Sequence, residues 1–296
     1  MKKLAVILAG LMLTAGLTAC GSKEETESAA AAAESSSNAA VETASTNSAA
    51  AAETDTGVPT VKELIQKVTE AGTGLKSFAM DSTIDENVTM TIDGEQQTQN
   101  ISMKTKQEMV KEPFAIYQEV TSNLPDDQGG GTIKQYITQD GIYSQVNGSW
   151  MKLPDESAAP ILEQMKNAGS PEQQFKQFES IADKAEVTDQ GDVYLLKANL
   201  SGNGVKELAK SFLLQNEGAN EQTEQLLEQM DIKSLDMSYT VDKKTYYPVD
   251  INVNMEMGMT VEEQEVSMIM KMAGKVSKAN EIGSIEIPAE VTGAAE

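Results

Sequence analysis

Histidine and arginine are both absent from the 296-residue chain, so all 23 basic residues are lysine. That absence excludes imidazole-based catalytic triads, His-bearing zinc sites and bidentate arginine clamps on phosphate or carboxylate. Cysteine occurs once, at Cys20, which rules out an intramolecular disulfide or a thiolate cluster and leaves the core to hold the fold. Aromatic residues make up only 4%, so that core has to be mainly aliphatic, with sixteen methionines to draw on. Positive charge is scarce as well. With 46 acidic residues the net charge is −23, and removing Lys2 and Lys3 with the N-terminal segment takes it from −23 to −25. Nucleic acid is excluded as a partner, because binding it needs a basic surface to displace counterions. Anionic lipid headgroups repel such a body too.

No apolar run is long enough to span a bilayer. The first segment, "MKKLAVILAGLMLTAGLTAC", has a basic start and an apolar stretch broken by Gly10, Thr14 and Gly16, the pattern of an export signal over residues 1–19. Its end, Leu17-Thr18-Ala19-Cys20, resembles the lipobox of bacterial lipoproteins, which implies a diacylated Cys20 as the mature N-terminus. Each buried methylene contributes about 0.8 kcal/mol, so two or three acyl chains anchor a protein stably. Residues 20–57 are almost wholly Ala, Ser, Glu, Thr and Asn and cannot bury a core. They read as an acidic tether that holds the next domain on the order of 30 Å from the membrane.

Residues 58–292 read as one domain, with 293–296 as a tail. Thr60 and Glu63 have capping-box spacing, and Val61, Leu64, Ile65 and Val68 share a helical face. After Lys76 the period becomes two. In "SFAMDSTIDENVTMTID" the apolar residues Phe78, Met80, Ile84, Val88, Met90 and Ile92 fall on one side of a long strand. Placing Ile92 opposite Ile101 and Met90 opposite Met103 predicts a hairpin around the tip "GEQQTQ", with Ile84 opposite Met109. Shorter strands follow near 114–121, 132–139, 142–147 and 149–153, with Asp140-Gly141 and Asn147-Gly148 as turn signals. Helical patches at Pro160–Met165 and around Phe175, Phe178 and Ile181 come next. After a hairpin about Gln190-Gly191 there are two more, at Val205–Phe212 and Leu226–Met230, and three strands from about 235 to 277 close the domain. About eleven strands, mostly in hairpins, point to an antiparallel α+β domain.

Catalytic and metal signals are weak. Ser149-Trp150-Met151-Lys152 matches S-x-x-K, but in a strand, positions three apart point to opposite faces, so the lysine does not reach the serine. Asp126-Asp127 beside Gly129 to Gly131, and Asp189 with Asp192, lack the acidic alternation of a calcium loop and read as turns. No cofactor, metal or enzyme assignment follows.

The methionines carry more. "VNMEMGMTVEEQEVSMIMKM" holds six of the sixteen. Thioethers bind Cu(I), yet sites of that kind usually add histidine or cysteine, which this domain lacks. Pairing Met255 with Met272, Met257 with Met270 and Met259 with Met268 predicts instead a hairpin with one methionine face, like the Met80, Met90, Met103 and Met109 face of the first hairpin. Flexible thioether stems suit a surface for varied apolar ligands, and they equally suit an adaptable filled core.

The lipobox, the acidic tether, the long hairpin "FAMDSTIDENVTMTIDG", the segment "GIYSQVNGSWMKLP" and the closing "YYPVDINVNMEMGM" together resemble uncharacterised lipoproteins of Gram-positive bacteria that belong with the LolA-like and LppX-like carriers. The resemblance implies a strongly curved antiparallel sheet, a half-barrel of about eleven strands with helices covering the concave face. It also implies a cavity for acyl chains. The expected lining is Phe78, Met80, Ile84, Val88, Met90, Ile101, Met103, Met109, Met255, Met257, Met259, Met268, Met270 and Met272, under a lid of Phe175, Phe178, Phe212 and Leu213. Arginine-dependent gating in the periplasmic carriers has no counterpart here. The alternative is a non-catalytic envelope module with a filled core that meets a protein partner.

Overall fold

The computed structural model describes residues 57–294 apart from 93–94, 126–128, 147, 169–174, 176, 203, 206–229 and 262–263. The tether, Cys20, Phe212 and Leu213 lie outside the described residues. Helix α1, Val61–Gly72, opens with the expected capping box: the Glu63 N–H donates to Thr60 Oγ1 at 3.3 Å, and Glu63 Oε2 accepts from the Thr60 N–H at 2.8 Å. These contacts also hold the Glu63 carboxyl below its usual range, with the Thr60 backbone bond the largest cause. Leu64, Ile65 and Val68, at helical spacing, are buried beneath it.

Eleven antiparallel strands form one open, curved sheet: β1 Ser77–Ile92, β2 Glu95–Val110, β3 Ala115–Ser122, β4 Gly131–Thr138, β5 Gly141–Val146, β6 Ser149–Lys152, β7 Ala185–Asp189, β8 Val193–Leu200, β9 Met230–Asp242, β10 Pro248–Val261 and β11 Gln264–Ser277. Their order is β6-β5-β4-β3-β2-β1-β11-β10-β9-β8-β7, so the first and last strands pair at the centre. Helix α2 is Asp155–Ala168, a 3₁₀ segment spans Gln177–Lys184, and a short C-terminal helix, α3, covers Ala289–Ala294. This is the α+β half-barrel, with helices on its concave face.

The two faces differ because the strands alternate. On the convex side Lys106, Asp81, Lys275 and Asp250 lie opposite one another across β2, β1, β11 and β10, a ladder of alternating charge. On the concave side two hydrophobic cores form. One joins α1 and the 3₁₀ segment to β8–β10, where Phe175 and Phe178 meet the Tyr239 ring edge-on at 5.0 and 5.1 Å. The other joins Ala158 of α2 to Phe78, Met109, Ile116, Ile137 and Ile142.

Several expectations are corrected. The first hairpin pairs Ile84 with Met103, Met90 with Gln97 and Ile92 with Glu95, which leaves only Asp93 and Gly94 between its strands. Asp-Gly is a strong two-residue hairpin sequence, and pairing Ile92 with Glu95 adds ladder pairs that the expected longer tip forgoes. The second hairpin pairs Met255 with Met270, Met257 with Met268 and Met259 with Val266, again with two residues between the strands. At the Asp140-Gly141 turn signal, Gly141 is already paired with Thr138, so Gln139 and Asp140 form the turn. Met230 starts β9, opposite Met259, rather than ending a helix. The S-x-x-K string is strand β6, as its setting indicates.

Candidate functional site

Both hairpin registers differ from expectation by an even number of residues, so every expected lining residue keeps its face. The β1–β11 ladder then joins the two methionine faces: Met80 lies opposite Val276, Ile84 opposite Met272, Val88 opposite Met268 and Met90 opposite Val266. Burial divides the set. Phe78, Ile101, Met109 and Met257 are 2–3% exposed, and Phe78, Met109 and Met257 belong to the two cores. Met80, Met255, Met268 and Met272 are half-buried against the cores' margins. Ile84, Val88, Met90, Met103, Met259 and Met270 are half-buried and belong to neither core. Together they make a strip along the middle of the sheet, between the cores, built from thioether and aliphatic surface. Phe175 and Phe178, expected as lid residues, sit 0% and 1% exposed against Tyr239.

Two features within this face escape a reading based on alternation. The first is Glu86. It occupies an inward position of β1, opposite Met270 on β11 and Ile101 on β2, with Ile84 and Val88 two residues away on either side. Burial pushes its carboxyl above the ordinary range. No hydrogen bond or ion pair from a described residue reaches it. The signal was present in "SFAMDSTIDENVTMTID", where Ser82 and Glu86 interrupt the apolar series at even positions. The second is a polar rung on β3, β4 and β5. Gln118 donates to Gln135 Oε1 at 2.5 Å, and Gln135 donates to Ser144 Oγ at 2.9 Å. Gln135 is 7% exposed, and its amide is satisfied at both ends, as a buried amide requires.

Of the two loop candidates, Asp126-Asp127 lies outside the described residues, and the other, at Asp189, is a turn. Asp189 accepts from the Gly191 N–H at 2.9 Å and from Lys243, and these bonds, Lys243 foremost, hold its carboxyl below its usual range. Gly130 N–H donates to Pro125 O at 3.0 Å, while Gly129 and Gly131 have φ of 85° and 87°, which glycine adopts readily. Among the described residues no group of three or more acidic, His or Cys side chains is placed to hold a metal ion, and no helix is long and apolar enough to cross a membrane.

An open eleven-stranded half-barrel with a methionine strip on its concave face defines the class. The chain belongs to the family of unknown function DUF6612, whose model matches residues 60–296. None of the curated proteins matches it. Among solved structures it is similar to LprF from Mycobacterium bovis, at 10% identity over 77% of this chain and 97% of that one, with a TM-score of 0.36. It is also similar to a domain assigned to outer-membrane lipoprotein sorting from Vibrio parahaemolyticus, at 11% identity over 70% and 88%, TM-score 0.21. A third is a DUF1329 family protein from Desulfovibrio piger, at 11% identity over 73% and 91%, TM-score 0.23.

Proposed function

We propose that this protein is an extracytoplasmic lipoprotein, anchored through acylated Cys20 to the outer face of a Gram-positive cell membrane, that binds a lipid or another hydrophobic ligand on its Met-lined concave face. Its role is binding, and in keeping with the sequence resemblance to LolA-like and LppX-like carriers, transfer of the ligand at that membrane, rather than catalysis. The observation that carries the reading is the strip of Ile84, Val88, Met90, Met103, Met259 and Met270, which the described cores leave half-buried. Apolar surface partly removed from water gains about 25 cal/mol for each further Å² covered, so an acyl chain laid along the strip is stabilised there. Methionine's three rotatable bonds let such a strip adapt to chains of differing length and unsaturation.

The test is native mass spectrometry of the full chain after mild detergent extraction, with lipid extraction and identification in parallel. Co-purifying lipid at a defined stoichiometry supports the reading. A chain that is repeatedly empty and fails to bind a neutral apolar dye such as Nile red saturably would overturn it, and would favour the filled-core interaction module.

A further inference from the structure

Among described inward positions of β1, β2, β10 and β11, only Glu86 and Glu95 carry charge. Glu95 is exposed at the hairpin end, six residues along β2 from Glu86's partner Ile101, about 20 Å away. No lysine occupies an inward position on these strands; Lys104, Lys106, Lys271 and Lys275 all belong to the convex face. The inward neighbours of Glu86 are Ile84 and Val88 on β1, Gln99, Ile101 and Met103 on β2, and Met268, Met270 and Met272 on β11. The apolar strip therefore contains one carboxylate whose charge no described residue balances.

We propose that Glu86 selects cationic amphiphiles: a positively charged head pairs with its carboxylate while the hydrocarbon tail lies along the methionines of β10 and β11. This rests on the hydrophobe-binding reading above and narrows it to a ligand class. A carboxylate held among thioethers is poorly solvated, and a cation delivered with its own apolar tail restores the missing partner without exposing the strip. The rise in the Glu86 pKa on burial is the same desolvation seen from the proton's side. A net charge of −23 favours the approach of cations and opposes that of anionic lipids. Gln99, diagonal to Glu86, adds a carbonyl acceptor for a head that carries N–H groups.

The experiment compares amphiphiles of equal tail length on the purified full chain freed of detergent, by calorimetric titration below micellar concentrations and by displacement of Nile red. The probes are dodecyltrimethylammonium, dodecanol and dodecyl sulfate. The proposal expects dodecyltrimethylammonium to bind about ten- to a hundred-fold more tightly than dodecanol, the range of a partly desolvated ion pair, with dodecyl sulfate weakest. In Glu86→Gln that preference falls to within about threefold while dodecanol binding is kept. In Glu86→Met, which matches its neighbour Met270, dodecanol binds at least as tightly as in the parent. Asp85→Asn, one residue away on the convex face, makes the same change in net charge and keeps the preference. Dodecanol binding with no preference for the cation, or a preference that survives both Glu86 substitutions, overturns this inference and leaves the hydrophobe-binding reading standing. Failure of all three probes to bind overturns both.

Discussion

Replacing Met257 and Met270 by alanine, one at a time, separates a filled core from a ligand-binding strip. Met257 is 2% exposed and packs within the core that contains Phe178, Tyr239 and Ile251. Its truncation removes a fully buried side chain and leaves a cavity, which costs about 3 kcal/mol within the usual range for buried Met→Ala. Met270 lies two strands away from the first core's β9, faces Glu86, and is half-buried in neither core. Full burial of a methionine side chain contributes roughly 1.5–3 kcal/mol, so half of it amounts to about 1 kcal/mol, with no closed cavity to add. Urea unfolding followed by far-UV circular dichroism reads the difference. With a slope of roughly 2 kcal/mol/M, the midpoint falls by about 1.5 M for Met257→Ala and about 0.5 M for Met270→Ala. Nile red affinity should follow the opposite order, with Met270→Ala the weaker binder. If Met270→Ala shifts the midpoint as far as Met257→Ala and leaves dye binding unchanged, the strip is core and the binding reading loses the observation that carries it.

Three further outcomes follow from other parts of the molecule. Cys20→Ala should abolish incorporation of an alkyne-tagged fatty acid into the chain, because Cys20 is its only thiol; label retained in the variant would refute lipidation at this residue. Burial pushes the Tyr239 hydroxyl up to about 12, so the unfolded state loses that proton first and stability present below pH 10 is lost as pH rises through the folded value. Tyr239→Phe should therefore lessen the stability lost between pH 9 and about pH 11.5 by about 2 kcal/mol, as measured by urea unfolding at each pH. Gly130→Ala would put a Cβ 1.6 Å from the Leu124 carbonyl oxygen, so the loop must shift and the Gly130 N–H to Pro125 O bond is disturbed. A loss on the order of 1–3 kcal/mol is expected in thermal unfolding, and an unchanged midpoint would contradict the close approach.

The faces of the strands were legible because alternation is a parity, and parity survives any even error in register. Register itself was less legible. Matching apolar to apolar across β1 and β2 favoured Ile92 with Ile101, whereas the molecule pairs Ile92 with Glu95 and lets Met90 face Gln97. The deciding element is the local Asp93-Gly94 pair, which fixes how many residues connect the strands before any cross-strand contact is counted. At the second hairpin the connection is Glu262-Glu263, which carries no turn chemistry, so the apolar match was the only guide and missed by one pair. Helix α1 was readable from Thr60 and Glu63 because a capping box is a sequence-local device. The start of β9 was not: Leu226, Leu227 and Met230 fit a helical period as well as they fit any other, and the pairing of Met230 with Met259 lies far off in sequence. Glu86 was visible as a break in alternation. Its meaning required β11, since only the β1–β11 ladder sets Met270 opposite it.

That ladder explains why a methionine face this long can exist in a chain with so few aromatics. Each hairpin alone offers two strands, and a two-stranded apolar face has no independent stability in water. Pairing β1 with β11 makes β2, β1, β11 and β10 four adjacent long strands, and the cores on both flanks hold them through Phe78, Met109, Ile251 and Met257. A slip of one residue in this ladder would turn one hairpin's methionines toward the charged convex face, so its parity is strongly specified. A slip of two would keep every methionine inward and only move Glu86 from Met270 to Met268 or Met272. The hydrophobic effect therefore guarantees a greasy strip but not the position of its one carboxylate along it. That position depends on the two-residue hairpin connections and on the anchoring cores. Lengthening the Asp93-Gly94 connection by two residues should thus leave apolar dye binding largely intact while blunting discrimination between dodecyltrimethylammonium and dodecanol. If discrimination survives with unchanged magnitude, the carboxylate's address is set by the cores alone.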